Sequence, residues 1–268
     1  SPMTALLAPN RRYLCHTGAE TDLIFNHGVD LPNFSLYPFV LTKDGKSTLR
    51  QFMADQIEIA AAKGMGAVIE TPTWMANLDR AAPLGHTAAQ LDEINQIAVQ
   101  MVIEARDNTS TPIIVSGNLG PRDDGYAPSE QMSIEDARAY HSAQIQSFAA
   151  AKADVASAYT LTYTAEAIGM TQAAKDHDIP IVLSFTVETD GKLPDGTPVH
   201  DAIKACDAAT DSYPSYYMIN CAHPEHFETT LADAMATDRL AGLVVNASKC
   251  SHAELDEAEE LDAGSPSE

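Results

Sequence analysis

The chain has 268 residues, 45% of them hydrophobic and 20% charged, which fits a soluble globular protein able to bury a core without disulfide staples and excludes a disordered chain. Its 16 basic and 38 acidic residues leave a net charge of −22, which repels phosphates and argues against nucleic acid or an anionic membrane surface as a partner. No apolar run reaches the roughly eighteen residues of a membrane span, and Ser1 to Pro9 lacks the features of a secretory signal, so a cytoplasmic protein is expected.

Short apolar runs alternate with long amphipathic stretches. Tyr13–Cys15 reads as a first strand, and apolar positions at Leu49, Phe52, Met53, Ile57, Ala60 and Ala61 predict a helix over 48–63. A strand over 67–70 follows, then a helix over 88–106 with Leu91, Ile94, Ile97, Ala98, Met101 and Val102 on one face. A strand over 112–116 runs into a glycine-rich loop, Gly117–Pro121. Ser133 and Asp136 mark a capping-box-like helix start, with the helix reaching about residue 151. The series continues with a weak strand over 153–158, a helix over 164–175, a strong strand over 180–185, and a helix over 197–209. It ends with a strand over 216–220, a helix over 224–235 and a strand over 240–245.

Strict βα alternation predicts a parallel sheet. The expected fold is an α/β barrel of the TIM (βα)8 type, as one domain over residues 10–250. Seven strands are visible, so the eighth βα unit is expected to be missing, with 251–268 an acidic segment leading toward it. A doubly wound open sheet is the alternative, but no G-x-G-x-x-G follows the first strand.

In such a barrel the catalytic face lies at the C-terminal ends of the strands. The polar residues that collect there are His16 and Glu20, Glu70–Thr73, Asn118, Tyr159–Tyr163, Thr186–Asp190, Asn220–His223 and Asn246–His252. The cysteines, Cys15, Cys206, Cys221 and Cys250, stand singly and read as reduced thiols. Cys221 directly follows an apolar strand. No H-x-H, G-x-S-x-G or P-loop ending is present to support an amidohydrolase, a serine hydrolase or a nucleotide-binding loop.

The segment Asn220-Cys221-Ala222-His223-Pro224 after a strand resembles the zinc-cysteine segment of the homocysteine S-methyltransferase family. Leu14–Pro32 resembles that family's opening strand and loop, Glu70-Thr71-Pro72-Thr73-Trp74 its second strand end, and Ser116–Pro121 its G-x-x-GP loop. Ser184–Gly191 is similar to its fifth strand end, and the resemblance spans about residues 13–264.

The resemblance implies a cytoplasmic S-methyltransferase of methionine metabolism. It would join a small-molecule thiol acceptor to a methyl donor, with zinc activating the thiol through Cys221 and no further catalytic side chain. The donor could be S-methylmethionine, S-adenosylmethionine or a betaine. Glu20, Glu70, Thr71, Asn118, Asn220 and Asn246 are the expected substrate contacts. An oligomer is compatible with this reading.

Three departures from the family pattern stand out. Its paired-cysteine GGCCG segment is not reached, so the zinc site is expected to be incomplete in this chain. His16-Thr17-Gly18 replaces an Asp-Gly-Gly, and Tyr159-Thr160 replaces a Glu-Thr, which removes two carboxylates suited to an α-amino group. A local set of Cys221, His223, Cys250 and His252 is an alternative ligand group. A catalytically silent small-molecule-binding paralogue on the same barrel, without zinc, is the alternative function.

Overall fold

The computed structural model describes residues 6–8, 10–15, 31, 35–123, 130–188, 190–221 and 237–245, the side chains of 221 and 243–245 excepted. Seven strands, β1 Tyr13–Cys15, β2 Gly66–Glu70, β3 Ile113–Leu119, β4 Val155–Leu161, β5 Ile181–Val187, β6 Tyr216–Cys221 and β7 Leu240–Val245, form one sheet. Each pairs in parallel with the next, so spatial order follows chain order and the open-sheet alternative, which needs a reversal, is excluded.

Among the described residues the α-helices between them are α1 Lys43–Ala62, α2 Leu78–Ala81, α3 Ala88–Asp107, α4 Ile134–Ala150, α5 Thr164–Asp176 and α6 Val199–Thr210. Side-chain caps fix four of the starts, that of α2 through Asn77, which accepts from Arg80 N–H. Thr42 accepts from Gly45 N–H, Thr87 and Gln90 form a reciprocal capping box, and Ser133 accepts from Asp136 N–H as its spacing predicts. Helix α1 begins five residues before its apolar periodicity does, because the Thr42 cap and not the periodicity sets its start.

Alternation along each strand separates two cores. Ala67 and Ile69, Val115 and Leu119, Ala156 and Ala158, Leu183 and Phe185, and Tyr217 and Ile219 pack outward against the helices. Val68, Ile114, Val155, Tyr159, Val182, Tyr216 and Met218 form a second cluster on the other face, with Tyr13 and Cys15 against it. In a flat sheet β1 and β4 would lie about 14 Å apart, three strand spacings of about 4.8 Å. Cys15 Sγ and Tyr159 Oη are 3.4 Å apart. The sheet therefore curls into an arc of the TIM-barrel kind, with the second cluster on its concave side.

Two strands run three residues past their expected ends. Strand β3 runs on through Gly117-Asn118-Leu119, read above as loop, because Gly117 lets the sheet meet the Phe148 ring of α4. A Cβ on Gly117 would come within 2.4 Å of that ring. Strand β4 extends to Leu161 and carries a bulge: Ala158 pairs with Leu183 but Leu161 pairs with Phe185, three residues against two. Thr160 absorbs the extra residue at φ 65°. The expected helix over 224–235 and the segment 251–268 lie outside the described residues.

Candidate active site

The concave face turns from apolar to polar along the strand direction. Inward positions read Val68-Glu70 on β2, Ile114-Ser116-Asn118 on β3 and Val155-Ser157-Tyr159 on β4. They read Val182-Ser184-Thr186 on β5 and Tyr216-Met218-Asn220 on β6. Since all strands are parallel, every polar end opens at the same mouth.

Ser116 and Ser157 share a hydroxyl bond of 2.6 Å between β3 and β4, and Ser184 Oγ donates to Asn220 Oδ1 between β5 and β6. Above them, Thr186 Oγ1 and Asn118 Oδ1 are buried with no hydrogen-bond partner among the described residues. Such atoms are rare in folded proteins and mark a place where a ligand or water completes the bonding.

Glu70 sits at the centre of a tight cluster. Tyr159 Oη donates to Glu70 Oε1 at 2.5 Å, and Cys15 Sγ lies 3.7 Å from the same oxygen. Burial, reinforced by the neighbouring acidic groups, holds the Tyr159 phenol and the Cys15 thiol protonated well above their ordinary pKa values. Both are therefore donors toward the carboxyl. Met218 Sδ closes the cluster at 3.8 Å from Tyr159 Oη.

Thr71 is placed differently from its neighbour. It points away from the mouth, 1% exposed. Its hydroxyl accepts from Asn118 N–H at 2.9 Å and bonds Thr73 Oγ1 at 2.6 Å, while Thr73 donates to Asn118 C=O at 2.6 Å. This ring of bonds grips the Asn118 backbone, so Thr71 holds Asn118 at the mouth.

The other expected site residues divide by position. Glu70, Asn118 and Asn220 come together at the mouth. Cys221 is the last residue of β6, in register with Val187 and Val245. Glu20, Asn246, His16, His223, Cys250 and His252 lie outside the described residues. Among the described residues no group of three or more His, Cys, Asp or Glu could hold a metal ion. Cys15 and Ser184 belong to the site yet carried no sequence signal beyond strand alternation, since their partners are on distant strands.

Beside the mouth, the segments after β3 and β4 bound a cavity of about 490 Å³ lined by Arg122, Thr162, Tyr163 and Glu166 among others. Arg122 Nε bonds Asp79 at 2.6 Å, and the guanidinium sits 4.6 Å from the Tyr140 ring centre. Glu166, 2% exposed, accepts from Arg122 N–H and from His141 Nε2, both at 2.8 Å. These bonds tie the rim after β3 to helices α4 and α5.

The sequence model of the homocysteine S-methyltransferase family matches residues 39–265. The chain belongs to that family. As a family member it is a methyltransferase.

Solved structures agree on the fold. Similar ones include the homocysteine methyltransferase MmuM from Escherichia coli in its metallated form, with a TM-score of 0.72 at 22% identity over 93% of this chain and 88% of that one. Its oxidised form gives 0.75 at 22% identity over 96% and 89%, and its apo form 0.65 at 21% over 92% and 86%. No curated protein matches the chain. None of the helices among the described residues is long and apolar enough to cross a membrane.

Proposed function

We propose that this cytoplasmic family member methylates the thiol of homocysteine, or of a close relative, at the mouth of a single barrel domain over residues 10–250. The supporting observation is the convergence at that mouth of Glu70 with Asn118 Oδ1 and Thr186 Oγ1, both buried and without a hydrogen-bond partner among the described residues. A polar pocket over an apolar floor suits a small zwitterionic thiol. In this reading Glu70 faces the ammonium group, Asn118 and Asn220 turn their amides to the remaining polar atoms, and Glu20 and Asn246 complete the acceptor contacts.

Zinc is the metal proposed, with Cys221 as one donor. A soft thiolate at the strand end suits it, and a relative of similar fold exists in a metallated form. The remaining donors come from outside the described residues, where the local set His223, Cys250 and His252 is one source. When bound, zinc supplies an ionised acceptor at neutral pH, where a free thiol of pKa about 8.5 is only about 3% thiolate. The chain's own residues supply the orientation that sets the thiol in line with the donor methyl group.

The test is methyl transfer to homocysteine from S-methylmethionine, S-adenosylmethionine or betaine, assayed with the metal content of the same preparation. Cys221→Ser is expected to lower kcat/KM by roughly a hundredfold or more and to strip zinc, since even outer partners of metal ligands are worth about ten- to a hundredfold. Full activity and unchanged metal content in Cys221→Ser would overturn the zinc assignment. No transfer from any of the three donors would overturn the reaction.

A further inference from the structure

The mouth holds one carboxyl among the inward positions of the described strands, Glu70, and its surroundings are unusual. Two donors from different strands, the Tyr159 phenol on β4 and the Cys15 thiol on β1, converge on the same oxygen, Oε1. Tyr159 is 4% exposed and is itself fixed by the bulge at Thr160, which turns the strand just after it. A carboxyl gripped through one oxygen has its rotation fixed, and so has the direction of its other oxygen.

We propose that Tyr159 is a positioning residue for substrate selectivity: it orients Glu70 to receive the ammonium group of an amino-acid thiol. The inference rests on the reading of the mouth as the acceptor site. Tyr159 does not touch the substrate in this scheme. It acts through Glu70, and it keeps a carboxyl-directed contact in a layer otherwise made of hydroxyl and amide groups.

Positioning predicts a particular pattern of loss. Removing the phenol oxygen frees the carboxyl to rotate, which weakens a charge-assisted bond but leaves contacts to the rest of the ligand. Thiols without an amino group are indifferent to it.

The experiment is calorimetric titration of the whole protein with homocysteine and with 4-mercaptobutyrate, which lacks the ammonium group. The expected result is a Kd for homocysteine about tenfold weaker in Tyr159→Phe, with the 4-mercaptobutyrate Kd unchanged within twofold. Glu70→Gln is expected to lose the same selectivity, and the double variant Tyr159→Phe/Glu70→Gln to lose no more than Glu70→Gln alone. Cys15→Ala, which removes the longer contact, is expected to shift selectivity by less than threefold.

Equal weakening for both thiols would show a general packing role and overturn the proposal, as would additive losses in the double variant. If Tyr159→Phe fails to fold, a selectivity ratio in Glu70→Gln equal to that of the unmodified protein overturns it equally. Should the unmodified protein bind neither thiol, the acceptor-site reading itself fails, and the proposal with it.

Discussion

Thr160 is the one β-branched residue among the described positions with a positive φ, 65°. A left-handed backbone costs an L-residue roughly 1–2 kcal/mol, and more for a branched side chain. The strain sits beside Tyr159, where the β4 bulge sets the direction of the phenol. Glycine adopts this angle without the Cβ clash, at an entropic cost of about 0.5–1 kcal/mol. Thr160→Gly is therefore expected to leave the unfolding free energy unchanged or slightly higher, measured by urea denaturation. A loss above about 1.5 kcal/mol would mean that the buried threonine side chain outweighs the strain. Thr71 makes the complementary case. Its hydroxyl is fully engaged around the Asn118 backbone, so Thr71→Val is a substitution that should reach the site only through Asn118.

Between elements, Arg239 is the main fastener at the other end of the sheet. It bonds Asp207 of α6 through Nε at 2.8 Å and Nη2 at 3.1 Å, and also donates to the carbonyls of Pro214 and Ser215. Tyr217 Oη donates to the same Asp207 at 2.8 Å, and the guanidinium stacks 5.4 Å over the Tyr217 ring. Removing one partner of a mostly buried charged network costs about 2–4 kcal/mol. Arg239→Ala is expected to lower stability by that amount while leaving the affinity for homocysteine unaltered, as the network is remote from the mouth. A loss below 0.5 kcal/mol, on the order of an exposed ion pair, would contradict it.

The elements were largely legible from periodicity, because each strand and helix buries a regular face: seven strands and the helices over 48–63, 88–106, 133–151, 164–175 and 197–209 all have counterparts. Glu70, Asn118 and Asn220 were legible too, since a polar residue at the end of an apolar run marks a mouth in a parallel barrel. The partnership of Glu70 with Tyr159 and Cys15 was not. It depends on the curl of the sheet, which brings together residues 89 and 144 positions apart. The bulge has no sequence signature for a related reason: one inserted residue leaves no trace in a strand buried on both faces.

At the scale of the molecule, buried acids of high pKa set the alkaline limit. Burial pushes the thiols of Cys15 and Cys206 up from an ordinary 9.0, and the phenols of Tyr159, Tyr216 and Tyr217 up from 10.0. Above pH 9 the unfolded chain releases protons that the native state retains. The native state then binds more protons, so stability falls as pH rises, by up to about 1.4 kcal/mol per pH unit for each such group. Tm is expected to change little between pH 7 and 8.5 through these groups and to drop progressively from pH 9 upward. The drop should be shallower in Cys206→Ala once its packing loss is subtracted. A flat Tm through pH 10.5 would refute this.

A sheet whose spatial order repeats its chain order can be assembled in the direction of synthesis. Each strand emerging from the ribosome finds its earlier neighbour already made, so at any moment the newest strand alone offers a leading edge to a partner still to be translated. The bond between Cys15 and Tyr159 sets the timetable for curvature: the arc cannot lock until the fourth strand is out, about 144 residues after the first. A nascent chain halted before Tyr159 would therefore hold an open ribbon, and one with Leu161 already emerged a curved one, with Glu70 already held by Tyr159 and Cys15.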